Sequence, residues 1–341
     1  MPDYERVFRL GAGAFGEVWL VNDRALGVER AVKFVQPGRI SHATNFYEEP
    51  QTLRELRHTN IVAVEDAGRE TDGSLYIAME YLPSGSIQDL AKGGILPIRQ
   101  AVRLVIETCR GLEYVHNAGF IHRDIKPANV LIGTSGEAKL SDFGLAARMD
   151  ARGQASPVGY VTHLAPEVIE GGETSRLSDV YALGVTLYRL VNGDAFLPAF
   201  PDVAELERAI VAGKYPPRTV HREFVPARLK RAMTKAMNLD PAKRFASAAE
   251  FRHALEQVSL CCDWEVHAIS NGRRWTASTQ NNDFEATLTR SGTGEFAFSL
   301  RQGRVGGTKR ESRLDGLVTG SAPLMQTHVT SLLSRITEFG R

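Results

Sequence analysis

The sequence has 341 residues, enough for more than one domain, and its 43% hydrophobic and 24% charged residues are typical of a soluble globular protein. The formal net charge of +1 excludes a strong overall attraction to nucleic acid or to an anionic membrane. The three cysteines show no metal-ligand spacing, and the sequence carries no signal-peptide pattern and no apolar run long enough for a membrane helix. We therefore expect a reduced, cytoplasmic protein without membrane contact.

The first 82 residues are rich in strand-like runs. Their patterns predict strands at residues 8–10, 18–21, 30–35, 61–66 and 75–80. Apolar residues at helical spacing predict a helix over residues 46–56. Residues 83–86 carry proline, glycine and serine, which suits a flexible hinge.

The pattern becomes helical after this break. Helices are predicted at residues 99–118, 179–190, 226–237 and 246–258. After residue 260 the pattern alternates again and predicts an antiparallel meander, with strands at residues 264–269, 274–279, 284–289 and 295–300. Residues 303–320 read as a loop. A closing helix is predicted at residues 323–339, with one apolar face formed by Met325, Val329, Leu332, Ile336 and Phe339.

Two short segments carry most of the side chains that suggest chemistry. The first is His122-Arg123-Asp124-Ile125-Lys126-Pro127-Ala128-Asn129, and the second is Asp142-Phe143-Gly144. Phosphoryl transfer from ATP needs a carboxylate that orients a hydroxyl, oxygen ligands for magnesium and a cation at the moving phosphate. Upstream, a glycine-rich turn at residues 11–18 lies between two predicted strands, and Ala31-Val32-Lys33 lies on the next strand. A glycine turn or a strand lysine alone is weak evidence, but their order here supports phosphate binding.

This order of motifs resembles the eukaryotic-type serine/threonine protein kinase family over residues 4–258. The resemblance implies an α+β, bilobal protein-kinase fold with a β-rich N-lobe at residues 4–82 and an α-rich C-lobe at residues 83–258. Residues 264–341 are then a small α+β domain, an antiparallel meander plus a helix, that resembles no family we can name. The implied activity is ATP-dependent phosphorylation of protein hydroxyls, with ATP and Mg²⁺ bound. Lys126, two residues after Asp124, is the serine/threonine-kinase form.

The resemblance also implies roles for single residues. Asp124 is expected to act as the base and Lys126 to stabilise the γ-phosphate, while Asn129 and Asp142 are expected to bind magnesium. Lys33 is expected to contact the α- and β-phosphates and to pair with Glu49, with Glu48 as the alternative. The residues expected to line the nucleotide pocket are Leu10, Gly11, Gly13, Gly16, Val18, Ala31, Lys33, Met79, Glu80, Leu82 and Leu131.

Other residues are expected to support the active site from outside. Glu167, in Ala165-Pro166-Glu167, is expected to pair with Arg244, and Asp179 is expected to hold the catalytic loop. A set of stacked apolar residues that is intact in active kinases is matched by Leu53, Val64, His122 and Phe143. This match argues against an inactive relative.

Glu49 is followed directly by Pro50, which departs from the family pattern. Proline removes a helix hydrogen bond and disfavours helical geometry in the residue before it. We therefore expect a helix that is kinked or begins near Glu49. A Lys33–Glu49 pair would then need a partner or a conformational change to form.

The activation segment departs from the family at residues 159–164. Tyr160 stands where many relatives have a threonine that contacts the catalytic aspartate and lysine. Either Thr162 takes that role after a local shift, or the substrate pocket differs. Arg123 is typical of kinases activated by phosphorylation of this segment, and the candidate sites are Ser156, Tyr160 and Thr162.

Two other functions stay open as alternatives. The chain could be a nucleotide-binding pseudokinase scaffold, which the complete set of metal and base residues disfavours, or a small-molecule kinase, which the Ala165-Pro166-Glu167 segment disfavours. The expected partner is a protein substrate, and nucleic acid is not indicated. The C-terminal domain is expected to bind a protein or ligand partner, or to stabilise the large lobe. The arginines of this domain could face an anionic partner, but solvated faces are favoured because acidic residues lie between them. These arginines are Arg273, Arg274, Arg290, Arg301, Arg304, Arg310 and Arg313.

Overall fold

The N-terminal part is an antiparallel five-stranded sheet. The computed structural model describes residues 3–13, 16–35, 56–70, 73–92, 94–143, 147–150, 152, 154–155, 159–292, 294–311 and 318–340. The strands are Tyr4–Gly13 (β1), Gly16–Asp23 (β2), Val28–Val35 (β3), Val64–Arg69 (β4) and Leu75–Glu80 (β5), in the order β1-β2-β3-β5-β4. Consecutive residues are buried in the central strands β3 and β5, and Val21, Val32 and Ala78 are fully enclosed on one face of the sheet.

One predicted strand begins later than expected. The strand predicted from residue 61 starts at Val64. At Ala63 the backbone N–H bonds to the side chain of Glu80 and not to its backbone carbonyl, so the regular strand pairing stops there. The Glu80 N–H donates to the Ala63 carbonyl (3.1 Å), and the Ala63 N–H donates to Glu80 Oε1 (2.8 Å). Ile61 instead forms an isolated parallel bridge with Leu140, which links the sheet to the helical part.

The second part is mainly helical. Its helices are Ile87–Leu90 (α1), Ile98–Asn117 (α2), Pro166–Ile169 (α3), Arg176–Asn192 (α4), Val203–Val211 (α5), Ala227–Ala236 (α6) and Ala248–Glu256 (α7). The hydrophobic face of α2 packs against α4 and α7. Helix α4 begins earlier than predicted because Ser175 caps it, accepting a hydrogen bond from Leu177 N (3.1 Å).

Short strands in this part carry the loops of the site. They are Phe120–Ile121 (β6), Val130–Ile132 (β7), Ala138–Leu140 (β8), Ala147–Arg148 (β9), Gln154–Ala155 (β10) and Thr174–Ser175 (β11), paired as β6-β9, β7-β8 and β10-β11. The turn at residues 83–86, predicted to be a flexible hinge, is hydrogen bonded: Gly85 N–H donates to Leu82 O (3.2 Å), and Ser86 forms a capping box with Asp89.

The C-terminal domain, residues 264–340, contains a six-stranded sheet and one helix. The strands are Trp264–Ile269 (β12), Gly272–Ser278 (β13), Asn282–Arg290 (β14), Phe296–Arg304 (β15), Arg310–Glu311 (β16) and Val318–Gly320 (β17), and the helix is Ala322–Phe339 (α8). All pairings are antiparallel, and Trp275, Phe284 and Phe298 are fully buried on the face that α8 covers.

Two expectations for this domain were wrong in part. Residues 303–320 are not one loop, because β15 extends to Arg304 and pairs with both β16 and β17. Phe339 does not share the buried face of α8, since it is 56% exposed at the last helical position. The other four residues predicted for that face are buried: Met325, Val329, Leu332 and Ile336.

The helical part and the C-terminal domain share one hydrophobic cluster and several polar contacts, which we call the domain junction (Arg99, Glu223, Asp263, Arg273 and Gln326). Asp263 accepts hydrogen bonds from Arg99 N (2.9 Å) and Nε (2.7 Å). Glu223 is only 5% exposed, and its Oε1 accepts from Arg273 (2.8 Å) and Gln326 (3.3 Å).

The cysteines differ in their surroundings. Cys109 and Cys262 are buried, and Cys261 is partly exposed just before the C-terminal domain begins. Burial raises the pKa of Cys262 to about 12 and raises the pKa of Cys109 further still. Across the part of the chain that the structure describes, we find no helix with the length and apolar character needed to span a membrane.

Candidate active site

The catalytic loop, residues 122–129, is held by a buried carboxylate. Asp179, 1% exposed near the start of α4, accepts hydrogen bonds from the backbone N–H groups of His122 and Arg123, both at 2.9 Å. His116 Nε2, at the end of α2, lies 2.8 Å from the same carboxylate. Arg123 has a left-handed backbone (φ 69°), which is uncommon for a residue other than glycine. We call these contacts the Asp179 network; they fix an otherwise unfavourable loop conformation, as predicted for Asp179.

The network also determines the ionisation of its members. Burial would raise the pKa of Asp179, but hydrogen bonding and attraction from His116, with further contributions from His122, hold it below the ordinary value. Burial lowers the pKa of His122, only partly offset by Asp179 and other carboxylates. Asp179 therefore stays charged and His122 neutral near neutral pH.

Asp124 lies at the centre of the loop and is 5% exposed. Its Oδ2 atom accepts hydrogen bonds from Lys126 Nζ (2.6 Å) and Asn129 Nδ2 (2.7 Å), and Asn129 Nδ2 also lies 2.9 Å from the Asp124 carbonyl. Its Oδ1 atom is buried and has no hydrogen-bond partner among the residues that the structure describes. Because a buried carboxylate oxygen without a partner is costly, Oδ1 is a site where a hydroxyl group could donate a hydrogen bond.

Asn129 and Asp142 come together through the residue between β8 and Asp142. Ser141 donates to the Asn129 carbonyl from both its backbone N–H (2.9 Å) and its Oγ (3.0 Å). Asp142 has a left-handed backbone (φ 57°), and its Oδ1 accepts a hydrogen bond from Lys33 Nζ (3.2 Å). Burial would raise the pKa of Asp142, but Lys33, with further contributions from His122 and Lys126, holds it below the ordinary value.

These residues fit a magnesium ion. A carboxylate held in its charged form and a neighbouring amide are the hard oxygen donors that Mg²⁺ prefers. The ring of Phe143 packs edge-on against His122, with centroids 4.7 Å apart. His122 Nε2 in turn lies 3.1 Å from Ser141 O, so the two halves of the site are joined through buried side chains.

The five-stranded sheet brings the predicted nucleotide residues into two cross-strand rows. Gly11, Val18, Lys33 and Ile77 are neighbours in one row, and Leu20, Ala31 and Met79 form another row two residues along the strands, on the same face. Gly16, with φ 140°, permits the close approach of β2 to β3, because a Cβ atom there would lie 2.1 Å from the Phe34 carbonyl.

The far side of the predicted pocket is formed where the turn after β5 meets β7. Leu131 pairs with Ser86 in an isolated bridge, and Ile132 N–H donates to Gly85 O (2.8 Å). Leu82 is buried beside this turn, and Glu80 Oε1 accepts from Lys139 Nζ (3.0 Å). Leu10 lies on β1, one residue before Gly11, and Gly13 ends the same strand.

The end of the activation segment is fixed to the large lobe. Glu167 accepts two hydrogen bonds from Arg244, at 2.7 Å from Nη1 and 2.6 Å from Nη2, and the Arg244 side chain is fully buried. This is the pair expected from the sequence. The arrangement is bidentate, which is the strongest geometry for an arginine and a carboxylate.

Of the candidate regulatory residues, Tyr160 lies beside the catalytic loop, and Thr162 follows it in the adjoining 3₁₀ turn. Tyr160 is 54% exposed, and its ring centroid lies 4.9 Å from Lys126 Nζ. Thr162 Oγ1 lies 2.9 Å from Nδ1 of the buried His163. Both line a groove of about 530 Å³ that also includes Phe200 and Tyr215.

Several predicted residues fall outside the described residues: Glu48, Glu49, Pro50, Leu53 and Ser156. The expectations for the Lys33–Glu49 pair and for the Pro50 kink therefore stay predictions.

Two residues of the site were missed by the sequence reasoning. His116 belongs to the Asp179 network, and its position on the apolar face of α2 is the signal that could have identified it. His163 is fully enclosed beneath the activation segment, and burial lowers its pKa well below the ordinary value. Only the fold shows that both imidazoles are buried next to the catalytic loop.

The fold and the site together define a protein of the kinase class. The model of the protein kinase domain matches residues 4–257, and the chain belongs to this family. Named relatives include the serine/threonine-protein kinase PknJ of Mycobacterium tuberculosis, 35% identical over 260 residues, or 72% of this chain and 43% of the relative. PknB of Mycobacterium leprae, also named a serine/threonine-protein kinase, is 33% identical over 267 residues (75% of this chain, 43% of the relative).

A third relative is the probable serine/threonine-protein kinase CPE1738 of Clostridium perfringens, 31% identical over 262 residues, or 75% of this chain and 38% of the relative. The match therefore spans about four tenths of the length of these relatives. It gives no support to the pseudokinase alternative.

Proposed function

We propose that this protein transfers the γ-phosphate of ATP to serine or threonine hydroxyls of protein substrates. The observation that supports this most is the carboxylate of Asp124: its Oδ2 accepts two hydrogen bonds, while its buried Oδ1 has no partner within the described part of the chain. A substrate hydroxyl that donated to Oδ1 would satisfy this atom and point its oxygen at the phosphate. Asp124 Oδ1 would then receive the proton as the new oxygen–phosphorus bond forms.

The neighbouring residues would hold the phosphates and their charge. Lys126 lies 2.6 Å from Asp124 and is placed to stabilise the γ-phosphate as the bond to ADP breaks. Lys33, on β3, is the candidate contact for the α- and β-phosphates. Asn129 and Asp142 would hold magnesium, which when bound would neutralise negative charge on the phosphate oxygens.

The named relatives and Lys126 favour serine or threonine as the acceptor. Transfer should be measured with radiolabelled ATP and a generic protein substrate, comparing the full chain with Asp124→Asn, which keeps the shape of the side chain. We expect a loss of about 100- to 10,000-fold in rate, the range of general-base catalysis. Phosphoamino-acid analysis should yield phosphoserine or phosphothreonine. Equal activity of the variant, or a product that is only phosphotyrosine, would contradict the proposal.

We also propose that phosphorylation of the activation segment regulates the enzyme. Arg123 belongs to the loop that a phosphate on this segment would approach, and the candidates remain Ser156, Tyr160 and Thr162. Mass spectrometry of active protein after incubation with ATP should find phosphate on this segment. Active protein without any phosphate on the activation segment would contradict this regulation.

For the C-terminal domain, we propose a stabilising role on the large lobe. The buried Glu223 of the large lobe is held by Arg273 and Gln326 of the domain, and the two share one hydrophobic cluster. Of the seven arginines considered for an anionic partner, Arg273 makes this contact, and Arg290 stacks over Phe296 with 5.8 Å to the ring centroid. Deletion of residues 264–341 should lower the thermal midpoint of the kinase part; an unchanged midpoint with lost substrate phosphorylation would favour recruitment.

A further inference from the structure

We propose that Tyr160 positions the catalytic lysine Lys126 through the face of its aromatic ring. This role rests on the phosphoryl transfer proposed above and adds a residue to that site. Lys126 Nζ lies 4.9 Å from the centre of the Tyr160 ring. An ammonium within about 6 Å of a ring centroid is attracted by the negative face of the ring. Tyr160 is therefore a positioning residue: it acts on the reacting atoms through Lys126.

The backbone explains why the ring lies at this place. Gly159, with φ 149°, packs directly on the catalytic loop, since a Cβ atom there would lie 2.7 Å from the Arg123 carbonyl. The chain then enters a 3₁₀ turn over Val161–His163. The imidazole of His163 is buried beneath, with its centroid 6.2 Å from that of Tyr160. Tyr160 is thus presented to the loop by fixed neighbours on both sides.

Thr162 is committed elsewhere. Its Oγ1 lies 2.9 Å from His163 Nδ1, and its side chain faces the groove that contains Tyr215. Of the two alternatives left by the sequence, a shifted Thr162 or a different substrate pocket, the contacts therefore favour the second. The residue that meets the catalytic lysine is Tyr160 itself.

The contact with Tyr160 restrains Lys126 and adds no hydrogen bond to the carboxylate of Asp124. The ammonium is bonded to Asp124 Oδ2 at 2.6 Å and is attracted by the ring of Tyr160. A lysine side chain has high rotamer freedom, so two attractive contacts narrow the positions of its charge. The face of a ring donates no hydrogen bond, and Asp124 Oδ1 is left to the acceptor hydroxyl.

Two substitutions of Tyr160 distinguish the effect of its aromatic face from the effect of its volume. Tyr160→Phe keeps the aromatic face, whereas Tyr160→Leu keeps apolar volume without it. We expect kcat of the Phe variant within about twofold of the wild type, and kcat of the Leu variant about 5- to 10-fold lower with KM for ATP unchanged, the range of a cation–π contact. Tyr114→Leu is the matched control and should leave kcat unchanged, because Tyr114 is an exposed tyrosine on α2 whose ring stacks on His58.

A second measurement does not depend on activity. In protein labelled with ¹³C-lysine, the ring current of Tyr160 should shift the ε-methylene signal of Lys126, assigned by its loss in Lys126→Arg. The shift should persist in Tyr160→Phe and disappear in Tyr160→Leu, with thermal midpoints within about 2 °C because the side chain is half exposed. An unchanged signal in the Leu variant, or a Leu variant as active as the wild type, would overturn the inference. A ring-dependent shift in a protein that transfers no phosphate would support the contact and reject the proposed function.

Discussion

Two buried carboxylates, Asp179 and Glu223, hold different parts of this molecule together and do so in different ways. Asp179 is contacted by two backbone N–H groups and one imidazole. Glu223 is contacted by two side chains, Arg273 and Gln326, that come from another domain. Backbone donors have fixed positions, whereas the ends of long side chains can move. Asp179 therefore determines the shape of the catalytic loop, whereas Glu223 determines only that the large lobe and the C-terminal domain stay in contact.

The largest effect is expected from Asp179→Asn. The amide would place an N–H₂ group against His122 or Arg123 and would remove a buried charge that three donors satisfy. We expect the free energy of unfolding to fall by about 3–5 kcal/mol, and kcat to fall by about 100-fold because the loop is displaced. Urea unfolding and the radiolabelled-ATP assay measure the two quantities. Glu5→Gln, in an exposed ion pair with Arg24, is the control and should change stability by less than about 0.5 kcal/mol. A fully active Asp179→Asn would show that the loop keeps its shape without the carboxylate.

A smaller effect is expected at the domain junction from Arg273→Ala. The change removes the arginine that donates to the buried Glu223 Oε1, which keeps the amide of Gln326, and should lower the free energy of unfolding by about 2–3 kcal/mol. Catalytic constants measured at a temperature where the variant is folded should not change. Arg274→Ala is the matched control, since neighbouring residues of a strand point to opposite faces, and it should cost less than about 0.5 kcal/mol. Equal effects of the two variants would mean that the Glu223 contact does not hold the domain.

Acidification should destabilise the protein through His221, in the segment that carries Glu223. Burial lowers the pKa of His221, two residues earlier, to about 4, below the ordinary value of 6.5. The unfolded state therefore binds the proton first, and stability should fall as the pH drops from about 6.5 toward 4, with a slope of the order of 1 kcal/mol per pH unit. Urea unfolding between pH 7.5 and 5 should show a flatter slope for His221→Phe. An identical slope would mean that His221 does not contribute.

The smallest effect is expected from the longer contact between Arg228 and Glu338, which also joins the large lobe to the C-terminal domain. The two groups are 3.5 Å apart, compared with 2.8 Å for Arg273 and Glu223, and the side chains of Arg228 and Glu338 are 60% and 13% exposed. Arg228→Ala should change the free energy of unfolding by about 0.5 kcal/mol or less, and by still less in 1 M salt. A cost as large as that of Arg273→Ala would mean that the shorter distance of the Arg273–Glu223 pair does not make it the stronger contact.

The catalytic loop and the residues that hold it could be predicted from the sequence. Asp124, Lys126 and Asn129 lie within six consecutive residues, so a local motif carries their geometry. Asp179 and the Glu167–Arg244 pair followed from the family pattern, although their partners are distant in the chain. The late start of β4 could not be predicted, because it depends on the contacts of Glu80 with Ala63 across two strands.

The junction could not be predicted for a physical reason. Arg273 and Glu223 are 50 residues apart, and each is an ordinary charged residue of its own segment. An arginine on an alternating strand is usually solvated, and only the packing of the C-terminal domain on the large lobe buries its partner. Tyr160 was recognised as a departure from the family, but its contact with Lys126 depends on the close approach of Gly159 to the catalytic loop.

The burial of two of the three thiols has a practical consequence. Cys109 and Cys262 are enclosed and have raised pKa values, so neither forms the thiolate that reacts with maleimides or iodoacetamides. Cys261 is partly exposed, and its neighbour across the junction is the end of α8, where its Sγ lies 3.4 Å from the Glu338 carbonyl. The native chain thus offers one labelling position without any engineered cysteine. A fluorophore attached there would report on whether the closing helix is in place.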